Sequence, residues 1–208
     1  MVDWQALKEG VEIARWFNNI GVTAFVLYYR IPFCHSEVPL KDAKTAMQII
    51  HRNAKEWKLN KNRIGVIGFS AGGYLAATLG THFDQTNKPD FMVLMYPVIS
   101  LKKIYTPNGT RKNLIGENAS EKLENFYSNE LHVSRKTLPT FIVHAEDDNV
   151  VSIENSKVFN EALKKNKVKS EFIIYKLGGH GFGMRPQGLD VDNWPDKLQK
   201  WLKTQSLI

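Results

Sequence analysis

Arg63-Ile64-Gly65-Val66-Ile67-Gly68-Phe69-Ser70-Ala71-Gly72-Gly73-Tyr74-Leu75-Ala76-Ala77 is the stretch that decides the fold. An apolar, β-branched run ends at Gly68, a lone serine follows, and a helix of small residues begins at once. The pattern G-x-S-x-G at such a boundary predicts strand, sharp turn, helix. A serine that is to act as a nucleophile must stand clear of its own backbone, on a turn tight enough to strain its φ and ψ. Gly68 and Gly72 are expected to leave room where strand and helix nearly touch. Ala71 would then present a backbone N–H at the first position of the helix, where an oxyanion could form. The competing reading is a glycine-rich loop that only turns a corner. The buried-type strand before the serine and the close-packing Ala76-Ala77 after it favour the nucleophile.

Working outward, the chain reads as alternating strands and helices. Upstream, Asp3 can cap a helix with apolar residues at Trp4, Leu7, Val11, Ala14 and Phe17, and Val22 to Tyr29 reads as a buried strand. A loop with Pro32 and Pro39 leads to a helix from Leu40 to about Trp57. Downstream, strands are expected at Phe91–Tyr96, Thr140–Ala145 and Glu171–Leu177, with helices from about Ile153 to Lys165 and from Trp194 to Lys203. This alternation predicts a mostly parallel α/β sheet in one domain spanning residues 1–208. Residues 100–138 break the rhythm with a polar excursion holding one short helix near Glu121 to Tyr127, capped by Ser120. Such an insertion is expected to act as a cap that covers or shapes a site.

Composition narrows the classes further. The 208 residues carry 43% hydrophobic and 24% charged side chains, as a globular domain does. The net charge of +7 is scattered in short groups such as Lys102-Lys103, Lys164-Lys165 and Lys197 with Lys200 and Lys203. With no long basic block and no interleaved aromatics, nucleic-acid binding is not expected. Cys34 is the single cysteine, which precludes an internal disulfide, and no metal-ligand spacing occurs, so neither metal nor cofactor is expected. Met1 to Gly10 lacks a basic region followed by an apolar core, and no apolar run reaches the ~18 residues of a membrane span. The expectation for the chain as given is therefore a cytoplasmic protein, with the sequons at Asn108 and Asn118 left to chance.

A serine at neutral pH needs a base, and the base needs an acid to hold it. Two later loops at strand ends offer both. Glu146-Asp147-Asp148-Asn149-Val150-Val151 follows the Thr140–Ala145 strand, and Gly178-Gly179-His180-Gly181-Phe182-Gly183 follows the Glu171–Leu177 strand. Asp147 or Asp148 could equally cap the following helix, and His180 could sit in a purely structural glycine turn. Glycines on both sides suit an exposed imidazole, which favours His180 as the base. His144, at a strand end, reads as a satisfied structural histidine; His35, His51, His82 and His132 lie in no acid or nucleophile motif and are assigned no role.

The sequence resembles the α/β-hydrolase superfamily, and within it the small esterases related to acetyl-xylan and feruloyl esterases. The residues that carry the likeness are Tyr29-Arg30, Pro39-Leu40 with Asp42 and Ala43, Gly68 through Gly73, and Asn113-Leu114-Ile115-Gly116. Pro139-Thr140-Phe141, His144 through Val151, Asn155-Ser156 and Gly179 through Gly183 continue it along nearly the whole chain. The order Ser, Asp, His is the one such folds use. The resemblance implies hydrolysis of a carboxylic ester, an acetyl or small acyl group on a sugar, with a small-molecule or oligosaccharide ester as substrate. It assigns attack to Ser70, proton transfer to His180 and orientation of the imidazole to Asp148. Asp148 is preferred over Asp147 because Val150-Val151 follows it at the family's offset. Ala71 is the implied oxyanion donor; Tyr96, Phe182 and Trp194, near strand ends or the His180 loop, are candidates to line the substrate site, with ordinary core or lid aromatics as the favoured alternative.

The same resemblance exposes a departure. These esterases carry a strand ending in a His/Pro-Gly-Gly-Gly loop before the first helix, which gives a second oxyanion N–H, and this chain contains no such motif. Losing one donor typically costs ~10²–10³ in kcat. The absent strand would leave a slot of roughly 10 Å between the Val22–Tyr29 strand and the nucleophile strand. The preferred expectation is an N-terminally incomplete chain; a shortened relative whose strands re-pair is the alternative. Two other functions stay open: a hydrolase-like protein that binds without turnover, and a peptidase of the prolyl-oligopeptidase kind.

Overall fold

The computed structural model describes residues 7–208, so the expected Asp3 cap and Trp4 lie outside the described residues. Four parallel strands form one sheet in chain order: β1 (Gly65–Phe69), β2 (Phe91–Met95), β3 (Thr140–Ala145) and β4 (Ser170–Tyr175). Gly65 lies opposite Phe91, Val93 opposite Phe141, and Ala145 opposite Tyr175. β2 and β3 are buried throughout, which is why their sequences are apolar without alternation. β4, at an edge, is only partly covered.

Alternate residues of the central strands feed two cores. Phe91, Val93 and Met95 join Phe141, Val143 and Ala145 on one face. There they meet Ile13 and Phe17 of α1 (Glu12–Asn19) and Trp194, Leu198, Trp201 and Leu202 of the closing helix, Trp194–Thr204. On the other face Met92, Leu94 and Ile142 meet Ala76 and Ala77 of a helix spanning Ala71–His82, and Phe159 and Leu163 of one spanning Glu154–Lys165. A fully buried side chain such as Phe159 contributes about 1.5–3 kcal/mol relative to exposure. The small Ala76 and Ala77 let the Ala71–His82 helix lie close on the sheet. Outside it, α2 (Glu37–Asn53) packs Ala43 and Met47 against Leu75 and Leu79. In chain order the remaining helices are α3 (Ala71–His82), α4 (Asn108–Ile115), α5 (Glu121–Phe126), α6 (Glu154–Lys165) and α7 (Trp194–Thr204).

Three expectations are corrected. Residues 22–29 form no strand: Phe25, Leu27 and Tyr28 are exposed, and β1 is hydrogen-bonded to β2 alone. A strand exists only where a neighbour takes its N–H and C=O groups, and this apolar run has no such neighbour among the described residues. Val22 and Ala24 pack against one core and Tyr29 against another, while Asp42 of α2 anchors the end of the run through the Arg30 N–H at 3.0 Å and its guanidinium at 2.6 Å. α2 starts at Glu37, with Pro39 in its first turn, where a missing N–H costs nothing, and ends before Trp57. The excursion at 100–138 holds α4 as well as the expected α5, whose Ser120 Oγ accepts the Leu123 N–H at 3.3 Å.

That excursion is fastened to α3. The Tyr74 hydroxyl donates to Tyr127 O at 2.8 Å, and Asn129 Nδ2 donates to Thr78 Oγ1 at 3.0 Å. Leu114, Ile115 and Tyr127 bury themselves against Tyr74, Val98 and Val151.

Candidate active site

β1 delivers the chain to Ser70, and α3 departs from Ala71. Ser70 holds φ 50° and ψ −116°, a conformation that costs a non-glycine residue on the order of 1–3 kcal/mol. Its backbone is pinned to the neighbouring strand end: Ser70 N donates to Met95 O at 3.0 Å, and Ser70 O accepts from Val98 N at 3.2 Å and Tyr74 N at 3.0 Å. The glycines divide differently from expectation. A Cβ on Gly68 would fall 2.8 Å from Gly73 N and closer still to the Gly72 carbonyl, and one on Gly73 would fall 2.9 Å from Pro97 Cβ. A Cβ on Gly72 would meet nothing. Close approach therefore requires Gly68 and Gly73, while Gly72 contributes its backbone. Ala71, first in the helix, has no carbonyl one turn earlier within the helix to bond, so its N–H is available to an anion at that end.

The loops past β3 and β4 converge on this turn. His180 Nε2 lies 2.9 Å from Ser70 Oγ, and His180 Nδ1 lies 2.7 Å from Asp148 Oδ2. The carboxylate only accepts, so Nδ1 carries the proton and Nε2 offers its lone pair to the serine hydroxyl. The helix cap expected of an acid in this loop is not formed; instead Asp148 Oδ1 closes the loop's own turn, accepting from Val150 N and Val151 N, both at 2.9 Å. Burial alone would raise the Asp148 carboxyl. Hydrogen bonds from His144, His180 and the N–H groups of Val151 and Val150 outweigh it and hold the group well below the usual carboxylate range. Asp148 is thus an ion under a closed surface, its side chain wholly buried.

Asp147 takes a separate task. Its carboxylate accepts from Gly179 N at 2.8 Å and Gly178 N at 3.3 Å, which ties the histidine loop back to the β3 end. Gly179 and Gly181, at φ 64° and 73°, then turn the chain on either side of His180, a conformation open to glycine at little cost.

Tyr96, Phe182 and Trp194 lie at 0%, 4% and 1% exposure, in one core cluster. All three are core residues, and of them Tyr96 is the one in ring contact with the imidazole. Tyr96 meets the His180 ring edge-on at 5.1 Å between centroids and Phe182 at 4.5 Å. Its hydroxyl donates to Glu9 Oε1 at 2.9 Å and accepts from Gly183 N at 3.3 Å, and Trp194 Nε1 donates to Gly183 O at 2.6 Å. Burial, with the charge of Glu9, pushes the Tyr96 phenol well above its ordinary value, so it remains a neutral donor. His144 is the satisfied, buried histidine expected, on Val151 O at 2.9 Å and Ser156 Oγ at 2.7 Å, and its Nε2 also lies 3.2 Å from Asp148 Oδ2, a contact the sequence reading did not include. The i, i+4 spacing from strand end to turn was the available signal. No group of three or more metal-ligating side chains occurs among the described residues. No helix among them is long and apolar enough to cross a membrane.

A parallel sheet with a strained serine between β1 and α3, an acid past β3 and a histidine past β4 defines an α/β hydrolase. The chain belongs to the BD-FAE family, whose model matches residues 25–163. It is similar to the crystal structure of an acetyl ester-xyloside bifunctional hydrolase from Caldicellulosiruptor lactoaceticus. The two are 41% identical with a TM-score of 0.91, over 95% of this chain and 76% of that one. It is 32% identical over 200 residues to an acetylxylan esterase of Xylanibacter ruminicola, and 32% identical over 188 residues to endo-1,4-beta-xylanase B of Butyrivibrio fibrisolvens. These matches take in 94% and 83% of this chain but span 42% and 29% of those two proteins.

Proposed function

We propose that the chain is a serine hydrolase that cleaves carboxylic esters, with short-acyl esters of carbohydrates, acetyl esters foremost, as its substrates. The observation that carries this reading is the continuous hydrogen-bonded line Ser70 Oγ, His180 Nε2, His180 Nδ1, Asp148 Oδ2. In it, Ser70 Oγ attacks the ester carbonyl carbon while its proton passes to His180 Nε2. The oxyanion that forms faces the Ala71 N–H at the start of α3, where the helix dipole favours negative charge. The imidazolium then protonates the departing alcohol, leaving an acyl group on Ser70. Water, deprotonated by the same nitrogen, attacks the acyl carbon and restores the serine. Asp148 keeps the ring in the tautomer that makes each transfer work.

The carbohydrate and acetyl parts of the proposal draw on the names of the relatives, an acetylxylan esterase and an acetyl ester-xyloside hydrolase. The excursion at 100–138, fastened beside the serine turn, shapes the alcohol side of the cleft in the same proposal. Binding without turnover is the alternative that the test must separate from ester hydrolysis. Hydrolysis of p-nitrophenyl acetate, butyrate and octanoate discriminates the two. The esterase reading expects acetate to be the best of the three and Ser70→Ala to lower kcat by about 10⁴-fold or more. A rate unchanged in Ser70→Ala removes it.

A further inference from the structure

We infer that His144 is a positioning residue for the acid of the site: it steadies the same Asp148 oxygen, Oδ2, that holds His180. The inference rests on the esterase reading above. His144 stands on β3, wholly buried. Its Nε2 lies 2.9 Å from Val151 O and 3.2 Å from Asp148 Oδ2, and its Nδ1 lies 2.7 Å from Ser156 Oγ. A carbonyl oxygen only accepts, so Nε2 bears the proton and donates it to Val151 O, with the Asp148 Oδ2 charge 3.2 Å from the same nitrogen. The Ser156 hydroxyl, in the first turn of α6, then donates to Nδ1.

The consequence is a carboxylate with both oxygens held. Oδ1 accepts from the Val150 and Val151 N–H groups, and Oδ2 has His180 Nδ1 at 2.7 Å and His144 Nε2 at 3.2 Å against it. His144 Nε2–H opposes movement of Oδ2, and its own ring is held by Val151 O on the acid loop and Ser156 Oγ on α6. A purely structural histidine could satisfy its nitrogens on Val151 and Ser156 alone; the contact with Oδ2 is what ties it to the reaction. The line from Ser70 to His180 to Asp148 thus continues to His144 and ends on Ser156.

The test uses the full chain, p-nitrophenyl acetate, and His144→Met and His144→Gln. Met keeps bulk without a donor; Gln returns an N–H close to the Nε2 position. The expected result is kcat lower by about 10–100-fold in His144→Met, the range seen when supporting partners are lost, with KM unchanged and most of kcat regained in His144→Gln. The low-field proton resonance of the His180–Asp148 hydrogen bond should move in His144→Met and return in His144→Gln. Full activity and an unmoved resonance in a folded His144→Met overturn the inference, as does a Gln variant no better than Met. Should His144→Met fail to fold, Ser156→Ala, which cuts the anchor without emptying the cavity, must lower kcat at unchanged KM; wild-type kcat there overturns it equally. Absence of serine-dependent turnover in the unsubstituted chain counts against the esterase reading instead, and the proton resonance still reads His144.

Discussion

The carbonyl of Gly72 occupies the space that a side chain on Gly68 would need, so the end of β1 and the start of α3 touch backbone to backbone across Ser70. This contact sets the serine's strained φ and holds its hydroxyl toward His180. Gly68→Ala should displace that backbone and lower kcat/KM for p-nitrophenyl acetate by about 10²-fold or more, the effect of roughly an ångström of misplacement. Gly72→Ala places its methyl in open space within a helix and should raise the unfolding free energy by about 0.5–1 kcal/mol. Equal behaviour of the two variants in activity and melting would contradict the contact.

Asp147 and Asp148 are adjacent in sequence but hold different partners, and their loss should read differently. Asp148→Asn takes away the acceptor that fixes the His180 tautomer and should lower kcat by about 10⁴-fold. Asp147→Ala frees only the Gly178 and Gly179 N–H groups; the expected loss is about ten-fold, the low end of the range for a supporting partner. Steady-state kinetics on both variants decide it, and a reversed order would move the acid to Asp147.

Asp148 also makes stability depend on acid. Its folded carboxyl is depressed below the ordinary ~3.9, so the native state binds fewer protons than the unfolded chain as pH drops. The stabilisation is complete above the unfolded value and is lost as pH falls through the lower folded one. Urea unfolding at pH 6 and pH 3 should therefore show a larger loss for the unsubstituted chain than for Asp148→Asn, which has no carboxylate to protonate. Parallel losses would mean that Asp148 is not held as described.

Much of this arrangement was legible from residue order. Apolar runs bounded β2 and β3 to within a residue, because strands buried on both faces are mainly apolar. Ser70, Asp148 and His180 each follow a strand, and parallel strands in chain order bring such loops to one edge. Residues 22–29 read as a strand by the same signal, but composition reports a segment's fitness for a sheet and not whether a neighbour is there to pair with it. α4 was missed because its buried residues, Arg111, Leu114 and Ile115, lie in a short polar segment, and Arg111 is buried by pairing with Glu124 at 3.0 Å and donating to Glu117 O at 3.2 Å. Tyr96, Phe182 and Trp194 stand near the site in sequence, yet packing turned them into the core. Which oxygen of Asp148 serves the turn and which serves His180 is a property of geometry that no spacing encodes.

The most direct test of the central claim is intact-mass measurement after treatment with a fluorophosphonate. One adduct on Ser70, absent in Ser70→Ala and slowed at least about ten-fold in His180→Ala, is the expected result for a serine activated by that histidine. No adduct, or an adduct on another residue that survives Ser70→Ala, would contradict it.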